Sequence, residues 1–211
     1  MNDLANIPEV THEWGAILPE IFLGVTALIL LVLEVAVPKL KRALPYLAMA
    51  VQGLLACYLG WLTFNAPVVD VSTFFGGMIA QGPDTNWMRI FFLLCGAFVS
   101  HLGLTYLKSR PLARIEFYHI QLVIVACFML LVQSAHFGML FVTLEALTIG
   151  FYILVAYGRN SDFSLEAGLK YLITGALSSG IMLFGIVLLF GAASNPIFDY
   201  STTHPLQFSE L

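Results

Sequence analysis

Six apolar runs, each close to the ~20 residues a helix needs to cross a bilayer, fill most of this chain. They fall at roughly 17–37, 43–64, 87–107, 115–134, 137–157 and 165–190. Backbone N–H and C=O groups cannot stay unpaired in hydrocarbon, so runs of this length cross as helices. Composition agrees. Of the 211 residues, 59% are hydrophobic and 10% charged, against roughly 25% charged in a soluble domain. The expectation is an all-α polytopic membrane protein with six transmembrane helices in a single membrane domain over 1–211. The lipid bilayer is its first partner. A net charge of −4 and the absence of a basic patch give nucleic acid nothing to bind.

Prolines and charges set the connections. Pro38 and Pro45 punctuate the first, Pro111 the third, and Gly158 and Asn160 the fifth. Residues 65–86 carry Asp70, the Gly76-Gly77 pair, Gln81 and Pro83, which read as a surface loop with room for a short hairpin. Ser164 is placed to cap the sixth helix, with Glu166 in its first turn. Seven of the nine basic residues, Lys39, Lys41, Arg42, Lys108, Arg110, Arg114 and Arg159, lie in alternate connections. The positive-inside rule then makes those connections cytoplasmic. It puts both termini, the 65–86 loop, the 134–136 turn and the tail 191–211 outside. Arg89, at the outer end of its helix, is expected to snorkel. The first sixteen residues hold Asp3, Glu9 and Glu13 without a Lys or Arg, the wrong charge for a cleaved signal peptide. A row of Gly168, Gly175, Ser179, Gly180 and Gly185 predicts a sixth helix buried among others.

Chemistry in such a chain is sought where charge sits inside hydrocarbon. Glu145 lies near the middle of the fifth run. A carboxylate there costs roughly 2.5–3.5 kcal/mol on insertion scales, so its default reading is proton or cation handling. Lys170 lies about 8 Å into the sixth run. Two readings stand side by side: an ion pair with Glu166 in the favoured i, i+4 order, or a lysine that changes protonation during turnover. Glu145 and Lys170 are offset by ~10 Å along antiparallel helices, too far for a direct contact. Glu34 is expected to snorkel or to meet Lys39, Lys41 or Arg42. Glu116 complements the start of the fourth helix. His101 and His119 could face each other and hold a haem, though two unpatterned histidines are a thin signal. Cys57, Cys95 and Cys127 fit no metal spacing and read as lipid- or core-facing side chains.

The motifs also resemble a known family. Glu116-Phe117-Tyr118, the 29-position gap from Glu116 to Glu145, and the run Ser164-Leu165-Glu166-Ala167-Gly168-Leu169-Lys170-Tyr171 are similar to subunit N of proton-pumping NADH–quinone oxidoreductase, respiratory complex I. Leu18-Pro19-Glu20 and Asp84 agree. The resemblance implies an antiporter-like bundle in which Glu145 matches the essential glutamate of the fifth helix and Lys170 a proton-path lysine of the sixth. It implies a membrane subunit of an enzyme coupling electron transfer from NADH to quinone to proton transport, in the cell's inner (plasma) membrane. Other membrane subunits of complex I would be its partners. NADH, FMN, iron–sulfur clusters and quinone would belong to those partners, with no cofactor in this chain. Gly150 stands where the family usually has proline. The family's broken seventh helix and second repeat have no counterpart in these residues, so the likeness is to a truncated, N-terminal six-helix part, and lone pumping is not expected. An assembly or anchoring piece, and a component of a related Na⁺/H⁺ antiporter or membrane hydrogenase, are the alternatives.

Overall fold

The computed structural model describes residues 14–37, 43–65, 72–108 and 116–193, together with Leu206 and Phe208. Six long helices carry the chain: α1 (Leu18–Ala36), α2 (Leu44–Asn65), α3 (Pro83–Lys108), α4 (Glu116–Gln133), α5 (Phe137–Val155) and α6 (Asp162–Ala193). All six are long and apolar enough to cross a membrane. Local chemistry fixes several starts. Pro19, Pro45 and Pro83 occupy the first or second position of α1, α2 and α3, where a missing N–H costs nothing and the fixed φ suits a helix. At α5 the His136 ring accepts a hydrogen bond from the Gly138 N–H at 3.0 Å, satisfying one orphan donor of the first turn.

The helices run alternately up and down. α4 is the central one, packed by α1, α3 and α5, while α2 lies on α3 and α6 on the far side of α5. The main core gathers Leu23, Leu30, Leu59, Leu93, Leu122 and Met129 from four helices. A smaller cluster of Ile124, Cys127 and Leu147 joins α4 to α5. Gly150 explains how closely those two approach: a Cβ there would lie 2.5 Å from Ile124 Cγ1. Leucine, valine and phenylalanine side chains cover the outward faces of α1, α2, α3 and α6, as hydrocarbon contact requires.

One end of the bundle is closed by a hairpin. β1 (Ser72–Phe74) pairs antiparallel with β2 (Ile79–Gln81). The turn places Phe75, Gly76 and Gly77 at positive φ (55°, 65° and 84°), a region glycine enters freely. Ile79 bridges to Ser134, and Ala135 N–H donates to the Met78 carbonyl. The Phe137 N–H donates to Leu206 and the Phe208 N–H to Ala135, with the Phe137 and Phe208 rings edge to face. The hairpin and this returning stretch therefore both seal the α4–α5 turn.

Three expectations need correction. Arg89 does not snorkel: its side chain is 2% exposed and turns inward to Glu20, because a buried opposite charge sits at the same depth on α1. α6 starts at Asp162, so Ser164 is not its cap. The Ser164 hydroxyl instead donates to the Val155 carbonyl and accepts from the Gly158 N–H, tying α6 to the end of α5. Among the described residues α6 is not buried between several helices either. Within the described residues its long-helix neighbour is α5, and Gly180 and Gly185 have open space where a Cβ would go. The suggested partners of Glu34, Lys39, Lys41 and Arg42, lie outside the described residues.

Candidate functional site

Glu145 is the ninth residue of α5, half-buried, and its carboxylate has no hydrogen-bond or ion-pair partner among the described residues. The helix period explains why. Thr143, Leu147 and Gly150 form the buried face of α5, with Leu147 and Gly150 against α4. Glu145 is roughly 160° around the helix from Leu147. It shares its face with Tyr152 and Ala156, the residues that meet α6. A Cβ on Gly168 would touch the Ala156 Cβ at 2.6 Å, and the Tyr152 ring lies 5.2 Å from the Tyr171 ring.

Lys170 is not brought to Glu145. It is two residues past Gly168, so it points roughly 200° away from the α5 seam. Its side chain is 71% exposed and pairs with Glu166, as the i, i+4 order predicted. Matching Gly168 to Ala156 sets Lys170 about 13–15 Å along the axis from Glu145. The two groups are thus further apart than a bare helix count suggests, and on different faces.

The same end of the bundle carries a second set of polar groups. Glu116 opens α4 and accepts from Arg159 at 2.7 Å, both exposed. The Tyr157 hydroxyl accepts the Phe117 N–H at 3.0 Å, satisfying a first-turn donor of α4. Burial pushes the Tyr157 phenol above its ordinary range, so it remains a neutral hydroxyl. His119 is buried, with neither ring nitrogen partnered among the described residues, whereas His101 is exposed. No group of three or more His, Cys, Asp or Glu that could hold a metal ion occurs among the described residues. Cys57 and Cys95 are exposed and Cys127 is buried.

Two buried networks escaped sequence reasoning. At the hairpin end, Arg89 Nε and Nη2 each donate to the Glu20 carboxylate at 2.9 Å. Gln133 Nε2 donates to the same carboxylate at 2.8 Å, and Gln81 Nε2 to Gln133 Oε1 at 2.8 Å. Three helices are joined at one carboxylate, and β2 joins them through Gln133. In the α2–α3–α4 core, Ser100 Oγ and Gln52 Nε2 both donate to Gln121 Oε1, at 2.7 and 3.1 Å, while Gln121 Nε2 reaches the Gly96 carbonyl at 2.7 Å. An acid and a base near the same end of α1 and α3 was the available signal for the first. Single glutamines inside apolar runs were the signal for the second.

Known proteins place this architecture. The family described as NADH:quinone oxidoreductase/Mrp antiporter, TM, matches residues 134–209, which hold both Glu145 and Lys170. NADH-quinone oxidoreductase subunit N 1 of Opitutus terrae is 47% identical over 213 aligned residues, covering 98% of this chain. The chain is a homologue of NADH-quinone oxidoreductase subunit N. The subunit N of Thiobacillus denitrificans is 31% identical over 90% of the chain. The chain spans 42% and 39% of the lengths of these two subunit N relatives. Two solved structures share the fold at a TM-score of 0.65. One is from respiratory complex I of Thermus thermophilus with bound aureothin, 24% identical over 82% of this chain and 36% of that one. The other is from the membrane-bound sulfane sulfur reductase, an archaeal respiratory membrane complex, 22% identical over 83% of this chain and 37% of that one.

Proposed function

We propose that this chain acts as a membrane subunit of a proton-translocating NADH:quinone oxidoreductase. The observation that carries the reading is the 47% identity to a subunit N over nearly the whole chain. Glu145 is the group that takes up and releases a proton. It is a carboxylate inside an apolar helix without a partner among the described residues, so its charge responds to whatever cation is brought against it. Lys170 supplies a protonatable amine nearer the Arg159 end. At that separation, protons pass between the two along water and intervening side chains, not by direct contact.

In this reading the Arg159 end faces the cytoplasm and the hairpin end faces outward, in the plasma membrane. NADH, flavin, iron–sulfur clusters and quinone are handled by partner subunits. This chain supplies the membrane path, and its exposed α5–α6 flank is where helices beyond those described would dock.

The test is assembly. An affinity-tagged chain, expressed in its own host, is expected to co-purify in mild detergent with a complex that oxidises NADH and reduces a quinone. Recovery in a complex without NADH oxidation, accompanied by Na⁺-dependent proton exchange in vesicles, would replace it with the cation-antiporter reading. That alternative is favoured by the Mrp antiporter half of the family description.

A further inference from the structure

The α5–α6 seam fixes which α6 side chain stands opposite Glu145. Gly168 and Ala156 touch across the seam, as the 2.6 Å approach of a Cβ on Gly168 to the Ala156 Cβ shows. Glu145 is eleven residues before Ala156, and Ser179 is eleven residues after Gly168. Eleven residues are three helical turns plus about 20°, a rise of ~16 Å. Because the helices are antiparallel, both steps lead the same way along the bundle. Glu145 and Ser179 therefore arrive at one level, each still turned toward the other helix.

Two further observations support that register. Tyr152, seven residues after Glu145 on the same face, places its hydroxyl against Gly175, whose added Cβ would lie 2.2 Å from that oxygen. Ile186, seven residues after Ser179, is buried, as is Gly168. The seam is thus closed on both sides of Ser179. Gly175, Ser179 and Met182 are half-buried along it, while Ser178 and Gly180 beside them are exposed.

Among the described residues the neighbourhood holds no other charged side chain; on α5 the Thr148 hydroxyl donates to the Glu145 carbonyl at 2.9 Å. On α6 the nearest charged side chain is Lys170, nine residues toward the Arg159 end. On α5 the nearest titratable groups are Tyr152 and His136, seven residues one way and nine the other. Tyr171 lies further toward the Arg159 end, beside Tyr152. α4 packs the opposite face of α5 at this level with Ile124 and Cys127, whose thiol is the titratable group on that side. The Ser179 hydroxyl currently donates to the Ala176 carbonyl at 3.2 Å, a long local bond that a turn about χ1 releases.

We propose that Ser179 is a positioning residue for Glu145: its hydroxyl turns from the Ala176 carbonyl to hydrogen-bond the carboxylate across the seam, and returns when the carboxylate is neutralised by another partner. This rests on Glu145 being the proton-exchanging group. The serine acts through Glu145 and neither gives up nor gains a proton overall.

The test uses membranes holding the assembled complex, with subunit content checked by blotting. Ser179→Ala is expected to lower NADH-driven proton translocation to about a tenth and to shift the pH of half-maximal translocation by about one unit. That is the scale of one hydrogen bond to a charged group. Ser179→Thr keeps the hydroxyl and is expected to restore both readouts. Ser178→Ala, whose hydroxyl is bound to Thr174 on the exposed side, is expected to change neither. An unchanged rate and pH profile in Ser179→Ala, alongside loss of translocation in Glu145→Gln, would overturn the proposal and leave the parent reading standing. Equal loss in the Ala and Thr variants with an unmoved pH profile would reduce Ser179 to a small seam residue. Wild-type translocation in Glu145→Gln would instead remove the parent reading.

Discussion

Replacing Arg89 by methionine removes the buried ion pair at the hairpin end, together with the guanidinium's bonds to Asn86 Oδ1 and the Ala16 carbonyl. The guanidinium and the Glu20 carboxylate are each 2% exposed. Methionine fills similar space but leaves the carboxylate with a single side-chain donor, Gln133. Removing one partner of a buried pair costs roughly 3–5 kcal/mol, because the remaining charge stays desolvated. For a chain of this size each kcal/mol moves the unfolding midpoint by about 2–4 °C. The expected fall is therefore ~6–20 °C, read by tryptophan fluorescence of the detergent-solubilised protein, with Trp87 two residues from the substitution. Pairing Arg89→Met with Glu20→Gln removes the stranded charge and is expected to recover most of the loss. Protease sensitivity across 72–81 should rise in the single variant, since Gln81 hangs on the same network through Gln133. A single-variant loss below about 1 kcal/mol, the scale of an exposed pair, would refute the burial argument, as would a double variant no better than the single.

Three other outcomes follow from the same geometry. Cysteine introduced at Asn160 should react with an impermeant thiol reagent from the cytoplasm and one at Ala80 from outside; the reverse pattern would invert the topology. Lys170→Ala should reduce coupled activity in the assembled complex more than Glu166→Ala does, and equal losses cured by exchanging the two charges would reduce the pair to an exposed surface ion pair. Gly150→Ala should destabilise by about 1–2 kcal/mol through overpacking on Ile124, with Ile124→Ala in the same chain restoring the thermal midpoint; additive losses would mean that the two do not share the contact.

Helix number and alternation were legible because hydrocarbon forces backbone pairing, so apolar length alone fixes the elements. Gly76-Gly77 signalled the hairpin because few other residues sit easily at positive φ. Arg89 was misread because a basic residue near a helix end can snorkel or turn inward with equal ease. Its partner Glu20 lies 69 residues away, beyond any local pattern. The small-residue row of α6 marked the seam correctly at Gly168 and Gly175, which press on Ala156 and Tyr152. It overstated burial further along, because a small residue permits close packing without supplying the neighbour. Ser164 competed with Asp162 for the start of α6, and the bridge back to Val155 won. Glu145 and Lys170 were visible as charges in apolar runs, but their opposite facing required the register between two helices. That register rests on contacts made by a glycine and an alanine, side chains too plain to stand out in a sequence.

The central claim is that Glu145 exchanges protons and does not merely hold helices together. Glutamine is nearly the same shape and can still hydrogen-bond, so a packing role, worth ~0.6 kcal/mol per such bond in a membrane, would survive the change. Glu145→Gln, in a complex whose subunit content matches the unmodified one, is predicted to lose most of the pH gradient built by inverted vesicles on NADH addition, with Glu145→Asp retaining part of it. A full gradient from the glutamine variant would contradict the account.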